Sequence, residues 1–510
     1  GPAATSNAPA VKSVLRMGVF TLAMINVSAI VSLRGMPAES TYGLSSVFYY
    51  IFAAVFFLVP VSLVAAELTT GWPQKGGVYR WVGEAFGKKW GFLAIWLQWI
   101  ESTIWFPTVL TFAAVSLAFM GPGQRWDEAL AANKWYVLIV VLCVYWAATL
   151  LNLRGMKTSA GVTKWGTIIG TIVPGAILIL LGLGYWAGGN PILLDMSWDK
   201  LVPDMSNFNN LVLAASIFLF YAGMEMSAVH VKDVNNPGRN YPLAILISAI
   251  ITVLIFVLGT LAIGFIIPNS QINLVQSLLI TYDSYFSFFG LGWMNWILAL
   301  ALAVGVLAQV TAWVGGPSKG LYQVGLAGNL PPVMQKRNKN NVQMGILLIQ
   351  GGIVTLLSIM FVIMPSVQSA YQIISQLTII LYLIMYMLMF ASGIYLRYRE
   401  PNTPRTFRIP GGRTFGMWVV GGLGLLASLA AFLVSFIPPN QITVGSSTMY
   451  ILLLVAGTFI FAGIPFIIHA MAKPSWKRPV DPEDAFEPFG WEKNNDSHST
   501  ATPSHTISHE

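Results

Sequence analysis

The sequence predicts an all-α integral membrane protein of about twelve transmembrane helices, on three observations. The chain of 510 residues is 55% hydrophobic and 9% charged, with a mean hydropathy of +0.67, where a soluble protein carries about 25% charged residues. Apolar runs of about 20 residues recur along its length, the extent a helix needs to cross the hydrocarbon layer. They lack the alternating pattern of an outer-membrane barrel. The net charge of +8 sits in short connecting loops, so it reads as membrane orientation and not as nucleic-acid binding. The single cysteine, Cys143, lies inside an apolar run, which excludes an intrachain disulfide and a cysteine-rich metal site. No cofactor or metal is expected. The leading Gly-Pro resembles a protease remnant, and no cleavable signal peptide is read after it.

The spans centre within residues 13–37, 44–69, 88–120, 134–153, 160–187, 208–231, 242–267, 288–315, 342–364, 368–396, 414–437 and 447–470, each an apolar stretch bounded by charge or by Pro and Gly. Lys12, Arg16, Lys75, Lys88, Lys89, Arg154, Lys157, Lys232, Arg239, Lys336, Arg337, Arg397, Arg405 and Lys477 fall on one side of this map. Arg125, Lys134 and Lys200 fall on the other. The positive-inside rule then makes both termini cytoplasmic. Two loops, 76–89 and 316–332, read as short amphipathic helices along that face. Residues 473–510 are rich in Pro, Ser, Thr and acid, a composition of disorder. The expected organisation is a cytoplasmic segment 1–11, five spans within 12–190, five within 205–397, two within 413–472, and a tail 473–510.

Two spans carry signs of interruption. The first contains FTLAMINVSAIVSLRGMP (20–37), with Asn26 and Ser28 at membrane depth and Arg34, Gly35 and Pro37 near its far end. The sixth contains YAGME (221–225), a helix-weakening glycine close to a carboxylate. A break frees backbone N–H and C=O groups, which is tolerable at that depth only against protein or a water-filled cavity. Freed N–H groups attract a carboxylate and freed carbonyls an ammonium, so paired breaks suit the two charges of an amino acid. Their places, in the first and sixth spans, are those of an inverted repeat of two five-helix units. Read singly, Gly223 is a packing contact, and Asn26 and Ser28 are hydrogen-bond glue between helices.

Four stretches, FLVPVSLVAAELTTGWPQKGGVYRWVGEAFGKKWGF (57–92), YAGMEMSAVHVKDVNNPGRNYPLA (221–244), GVLAQVTAWVGGPSKGLY (305–322) and RTFRIPGG (405–412), resemble the amino acid-polyamine-organocation superfamily, and within it the glutamate/GABA antiporters. The resemblance implies a leucine-transporter-like fold: two inverted five-helix repeats with discontinuous helices 1 and 6, plus two trailing helices. It implies sodium-independent exchange by alternating access. Carried over by position, it puts the first break at Ile25-Asn26-Val27-Ser28 and the second at Phe220-Tyr221-Ala222-Gly223. It makes Trp313 a cover for substrate and Tyr382 and Tyr386 a tenth-span pair, and it likens Lys164 to a lysine whose ammonium replaces a sodium ion. Gln309 stands where the acid-resistance antiporter has glutamate, which alters the expected side-chain pocket.

Ionisable residues inside spans are costly and default to functional hypotheses. Glu225 is read as an acceptor for the N–H groups freed at the break, or as a proton-coupling site. Glu101 has three readings: a partner for a substrate amine, a partner for Arg34 or Lys164, or a polar contact between helices. Arg34, if it faces the cavity, favours an acidic substrate. In the resembling antiporters the tail plugs the cytoplasmic mouth, and His498, His505 and His509 would let such a plug sense pH. The function expected is exchange of an amino acid such as glutamate for its decarboxylation product such as GABA across a bacterial inner membrane, functionally linked to a cytoplasmic decarboxylase. Proton-coupled uptake of a neutral amino acid is the alternative. A nutrient sensor or channel is disfavoured, for want of a soluble signalling domain and because of the Trp-lined site. HExxH, Walker-type and CxxC signatures are missing, and the polar groups at membrane depth are too few for a catalytic constellation, so no catalytic residues are expected.

Overall fold

A computed structural model describes residues 17–156 and 160–495. Among them, eleven helices are long and apolar enough to cross a membrane. They are Gly43–Gly71, Lys88–Ala118, Lys134–Leu153, Gly161–Ala187, Phe208–Asp233, Pro237–Ile266, Gly292–Gly325, Met344–Ile363, Val367–Arg399, Phe415–Val434 and Ser447–Met471. Ahead of them the first span is built from Val19–Ile30 and Met36–Ser40. The chain is thus the expected twelve-span α-helical membrane protein. Spans two and five each contain a π-helical turn, Ala54–Leu58 and Ile168–Ile172, just before Pro60 and Pro174. Proline has no N–H to give the ladder, and the wider turn absorbs that loss.

Burial sorts the spans. The most apolar stretches of spans three and ten are 89% and 78% buried, against 28% for span five and 11% for span twelve. Spans three and ten therefore form the centre, while the others turn apolar side chains outward, as a hydrocarbon surround requires. Spans five and eight meet through glycine: a Cβ on Gly170 would lie 2.4 Å from Gly305 Cα, the small-residue approach common between membrane helices. One amide ties four spans together. Gln350 accepts from Trp99 Nε1 at 2.9 Å and donates to Tyr145 Oη at 2.9 Å and to the Val314 carbonyl at 3.2 Å.

The RTFRIPGG stretch is clasped at the basic face of the bundle. Buried Glu67 receives Arg397 through two hydrogen bonds of 2.8 and 2.5 Å and Ile409 N–H at 2.8 Å. Arg405 Nε stands 3.4 Å from the same carboxylate. Arg397 also donates to the carbonyls of Ile409, Gly412 and Arg413.

Three expectations are corrected. The eighth span runs on as a helix through Pro317 to Gly325, so 316–332 is no separate amphipathic helix; the proline's missing N–H does not stop a helix packed on its neighbours. Residues 473–495 of the tail are ordered on the protein. Phe489 is fully buried, and Gly76 and Gly83 leave room for the rings of Phe486 and Phe489. The expected helix in 76–89 is present as Val78–Phe86, and it is this helix that the tail grips. Finally, the first span does not break at Ile25-Asn26-Val27-Ser28, which is helical. It breaks at 31–35, where Val31 turns to extended backbone. The cause is local. Pro37 opens the next helix, and Gly35 lies so close to Phe220 that a Cβ would sit 2.1 Å from the ring.

Candidate functional site

The interruptions of spans one and six face each other through that Gly35–Phe220 contact. In span six the helix ends at Tyr221 and restarts at Met224. Gly223, at φ +116°, holds a backbone conformation that a side chain would strain. Its N–H donates to Tyr386 Oη at 2.7 Å. Tyr386 and Tyr382 in turn donate to the two oxygens of Glu225, and Gln98 Nε2 donates to Glu225 Oε1 at 3.1 Å. The two tyrosine rings lie 4.7 Å apart. One carboxylate thus collects three donors and, through Tyr386, fixes the backbone of the break.

On span one, Asn26 is buried and accepts from Ser227 Oγ at 2.9 Å, while its Nδ2 has no partner. Its polar side chain is therefore glue to span six as well as a neighbour of the Glu225 turn. Val27 is buried, Ile25 half-buried and Ser28 exposed. Arg34 is buried in the break itself. It donates to Thr108 Oγ1 at 2.8 Å and to Tyr371 Oη at 3.4 Å, and its guanidinium stands 5.0 Å from the Phe220 ring centre. Every one of these partners is neutral.

Glu101 is buried in span three. Among the described residues it has neither a hydrogen bond nor an ion pair, and Glu225 is the charge that acts on it. The expected pairing with Arg34 or Lys164 does not occur: Arg34 has turned to Thr108, one side of span three and two turns on, and Lys164 is exposed on span five. Gln309 donates to Thr167 Oγ1 at 2.8 Å, and Trp313 packs against Trp105 with the ring centres 5.9 Å apart and the planes tilted by 58°.

From the basic face a cavity of about 360 Å³ leads inward between Trp72, Trp81 and Lys232 to Gln98 and Glu225. A second, of about 230 Å³, adjoins it at Lys75, Gly76 and Gly77 and is bounded by Asp484 and Phe486 of the tail. The tail is fixed there by several bonds. Arg80 donates to the Glu487 carbonyl at 2.5 Å and stacks on Phe486 at 4.2 Å. Gly490 N–H donates to both oxygens of Glu84, and Trp491 Nε1 donates to the Gly83 carbonyl at 2.9 Å. Burial pushes the Glu84 carboxyl up, and the Gly490 N–H and Arg80 hold it back. Aromatic residues of the tail and glycines of the helix are the sequence signal for this docking. His498, His505 and His509 lie outside the described residues.

The profile of the amino acid permease family matches residues 17–461. The chain belongs to the amino acid permease family. This permease is 40% identical over 451 residues to an uncharacterized transporter of Legionella pneumophila, covering 88% of the chain and 96% of that protein. It is 31% identical over 461 residues to a glutamate/gamma-aminobutyrate antiporter of Lactococcus lactis, covering 89% and 90%. A probable agmatine/putrescine antiporter of the same species is 25% identical over 373 residues, covering 72% of the permease and 77% of that protein. The permease is therefore a multi-pass membrane transporter of small molecules and not an enzyme, as its sequence implies.

Proposed function

We propose that the permease is a sodium-independent antiporter that exchanges an amino acid such as glutamate for its decarboxylation product such as GABA, with its basic face and both termini in the cytoplasm of a bacterial cell. The observation that carries this reading is the facing pair of interrupted spans, and the antiporter of L. lactis supports the substrate pair. In this reading the substrate's α-groups meet the non-helical backbone of Val31–Gly35 and of Ala222 and Gly223, beside Phe220 and Tyr221 at the end of the preceding helix. Ile25, Asn26, Val27 and Ser28 form the helical wall beneath. Gln309, Trp313, Tyr382 and Tyr386 examine the side chain.

Arg34 adds a reason for acidic substrates. A buried guanidinium bonded only to hydroxyls keeps its charge unbalanced, and a substrate carboxylate balances it. Glu101, also without a partner among the described residues, suits the amine that leaves in exchange. Lys164 is assigned the sodium-replacing role by resemblance alone. A cytoplasmic decarboxylase would supply the amine.

Trans-stimulation in proteoliposomes tests the function. Uptake of labelled substrate should require internal substrate. Uptake that needs a proton gradient and no internal substrate supports the proton-coupled alternative instead. Gln309→Glu adds a charge beside Thr167 and should change substrate preference or the pH dependence of exchange; unchanged values for both count against the side-chain pocket. The docked tail is assigned the role of a plug. Deleting residues 474–510 should raise exchange severalfold where the plug is closed, and equal rates for full and truncated chains across about pH 5.5 to 7.5 would remove that role.

A further inference from the structure

Among the buried carboxyls outside this mechanism, one joins the two interrupted spans. Glu39, in the short helix Met36–Ser40 beyond the first interruption, is 1% exposed. Its Oε1 lies 2.7 Å from Ser216 Oγ, in the part of span six that precedes the second interruption. Its Oε2 is enclosed and has no hydrogen-bond partner. Among the described residues no Lys, Arg or His is within ion-pair distance of it. The two segments that it joins are the halves of spans one and six on the side away from the basic face.

Ser216 Oγ donates to Oε1 and also lies 2.6 Å from the Leu213 carbonyl oxygen, so the single hydrogen of this hydroxyl is shared between two acceptors. An ionised carboxylate would have only that shared hydrogen for its two oxygens and would leave Oε2 buried without a donor, a costly state. We propose that Glu39 is a proton-binding site: protonated, it fastens the outer halves of spans one and six together, and ionised, on meeting water, it lets them part.

The groups around it supply no competing charge. Tyr42 follows its own helix, Tyr49 and Tyr50 face it from span two, and Tyr221 from span six. Span seven brings Thr260, bonded to Tyr50 at 2.8 Å. Helix Ser277–Phe288 also packs against this region, with Tyr282 committed to the Pro174 carbonyl. Asp204 acts on Tyr49 from the adjoining loop. None of these groups is cationic. Because the proton is held in the packed form and given up in the parted one, low pH favours packing. Rising pH favours parting by up to about tenfold per unit above the ordinary glutamate value of about 4.3.

Two measurements test this, and only the second rests on the antiport reading. In infrared spectra of the purified protein near neutral pH, Glu39→Gln should remove one protonated-carboxyl C=O stretch, and Ser216→Ala should shift that band to higher frequency. Spectra of Glu39→Gln and wild type that coincide in this region overturn the proposal. In proteoliposomes the ratio of wild-type to Glu39→Gln exchange should change by severalfold or more between about pH 5.5 and about pH 7.5, while a constant ratio overturns it. A wild-type chain that exchanges nothing would defeat the antiport reading, and the infrared result would still decide the proton site.

Discussion

Tyr386→Phe should lower exchange by about tenfold to a hundredfold while leaving the amount of folded protein nearly unchanged. The hydroxyl it removes serves two partners, accepting from Gly223 N–H and donating to Glu225. Its loss leaves a backbone donor at the break unpartnered, at about 1–3 kcal/mol, and every 1.4 kcal/mol is about tenfold. The ring remains to pack at 5.1 Å from Phe57 and 4.7 Å from Tyr382, so the fold has no reason to fail. Tyr382→Phe removes one donor to Glu225 and no bond to the break, and should cost less. Initial-rate counterflow of both variants checks the order; equal losses, or none for Tyr386→Phe, would show that the break does not depend on this bond.

The largest loss of stability is expected from Glu67→Gln. This change leaves the buried guanidinium of Arg397 without its carboxylate and Arg405 without the charge 3.4 Å away. Breaking a buried pair by removing one partner costs about 3–5 kcal/mol. The carbonyl contacts of Arg397 with Ile409, Gly412 and Arg413 remain, so the loop loses its charge balance before its shape. A lowered thermal midpoint in detergent, with proteolysis appearing first within 405–413, is the expected result. A midpoint like that of wild type would mean that hydroxyl- or amide-bearing neighbours replace the lost charge.

Much of this was legible in the chain. Span number and order follow from apolar length, and the sixth-span break follows from Gly223, whose positive φ needs glycine. The tyrosine pair at 382 and 386 falls one turn apart on one helix face, which is why it meets one carboxylate. The first-span break was misplaced because polarity at Asn26 and Ser28 suggests exposed backbone, whereas Asn26 spends its oxygen on Ser227 and the helix continues. What breaks the span is steric: Gly35 yields to a ring almost two hundred positions away, and no local pattern carries that. The tail reads as disordered for the same reason. Its polar composition dominates, while the glycines that admit Phe486 and Phe489 stand near the other end of the chain. Helix Ser277–Phe288, too short to span, also has no mark of its own in the hydropathy pattern.

The Gln350 side chain has a mechanical consequence. A single amide bonded to Trp99, Tyr145 and the Val314 backbone bolts the third, fourth, eighth and ninth crossings into one rigid frame, because sliding any of them strands a polar group in an oily interior. Whatever rocks as cargo passes must then hinge elsewhere, and the two crossings already cut in half, each held to that frame by a side-chain bond at its cut, carry the hinge.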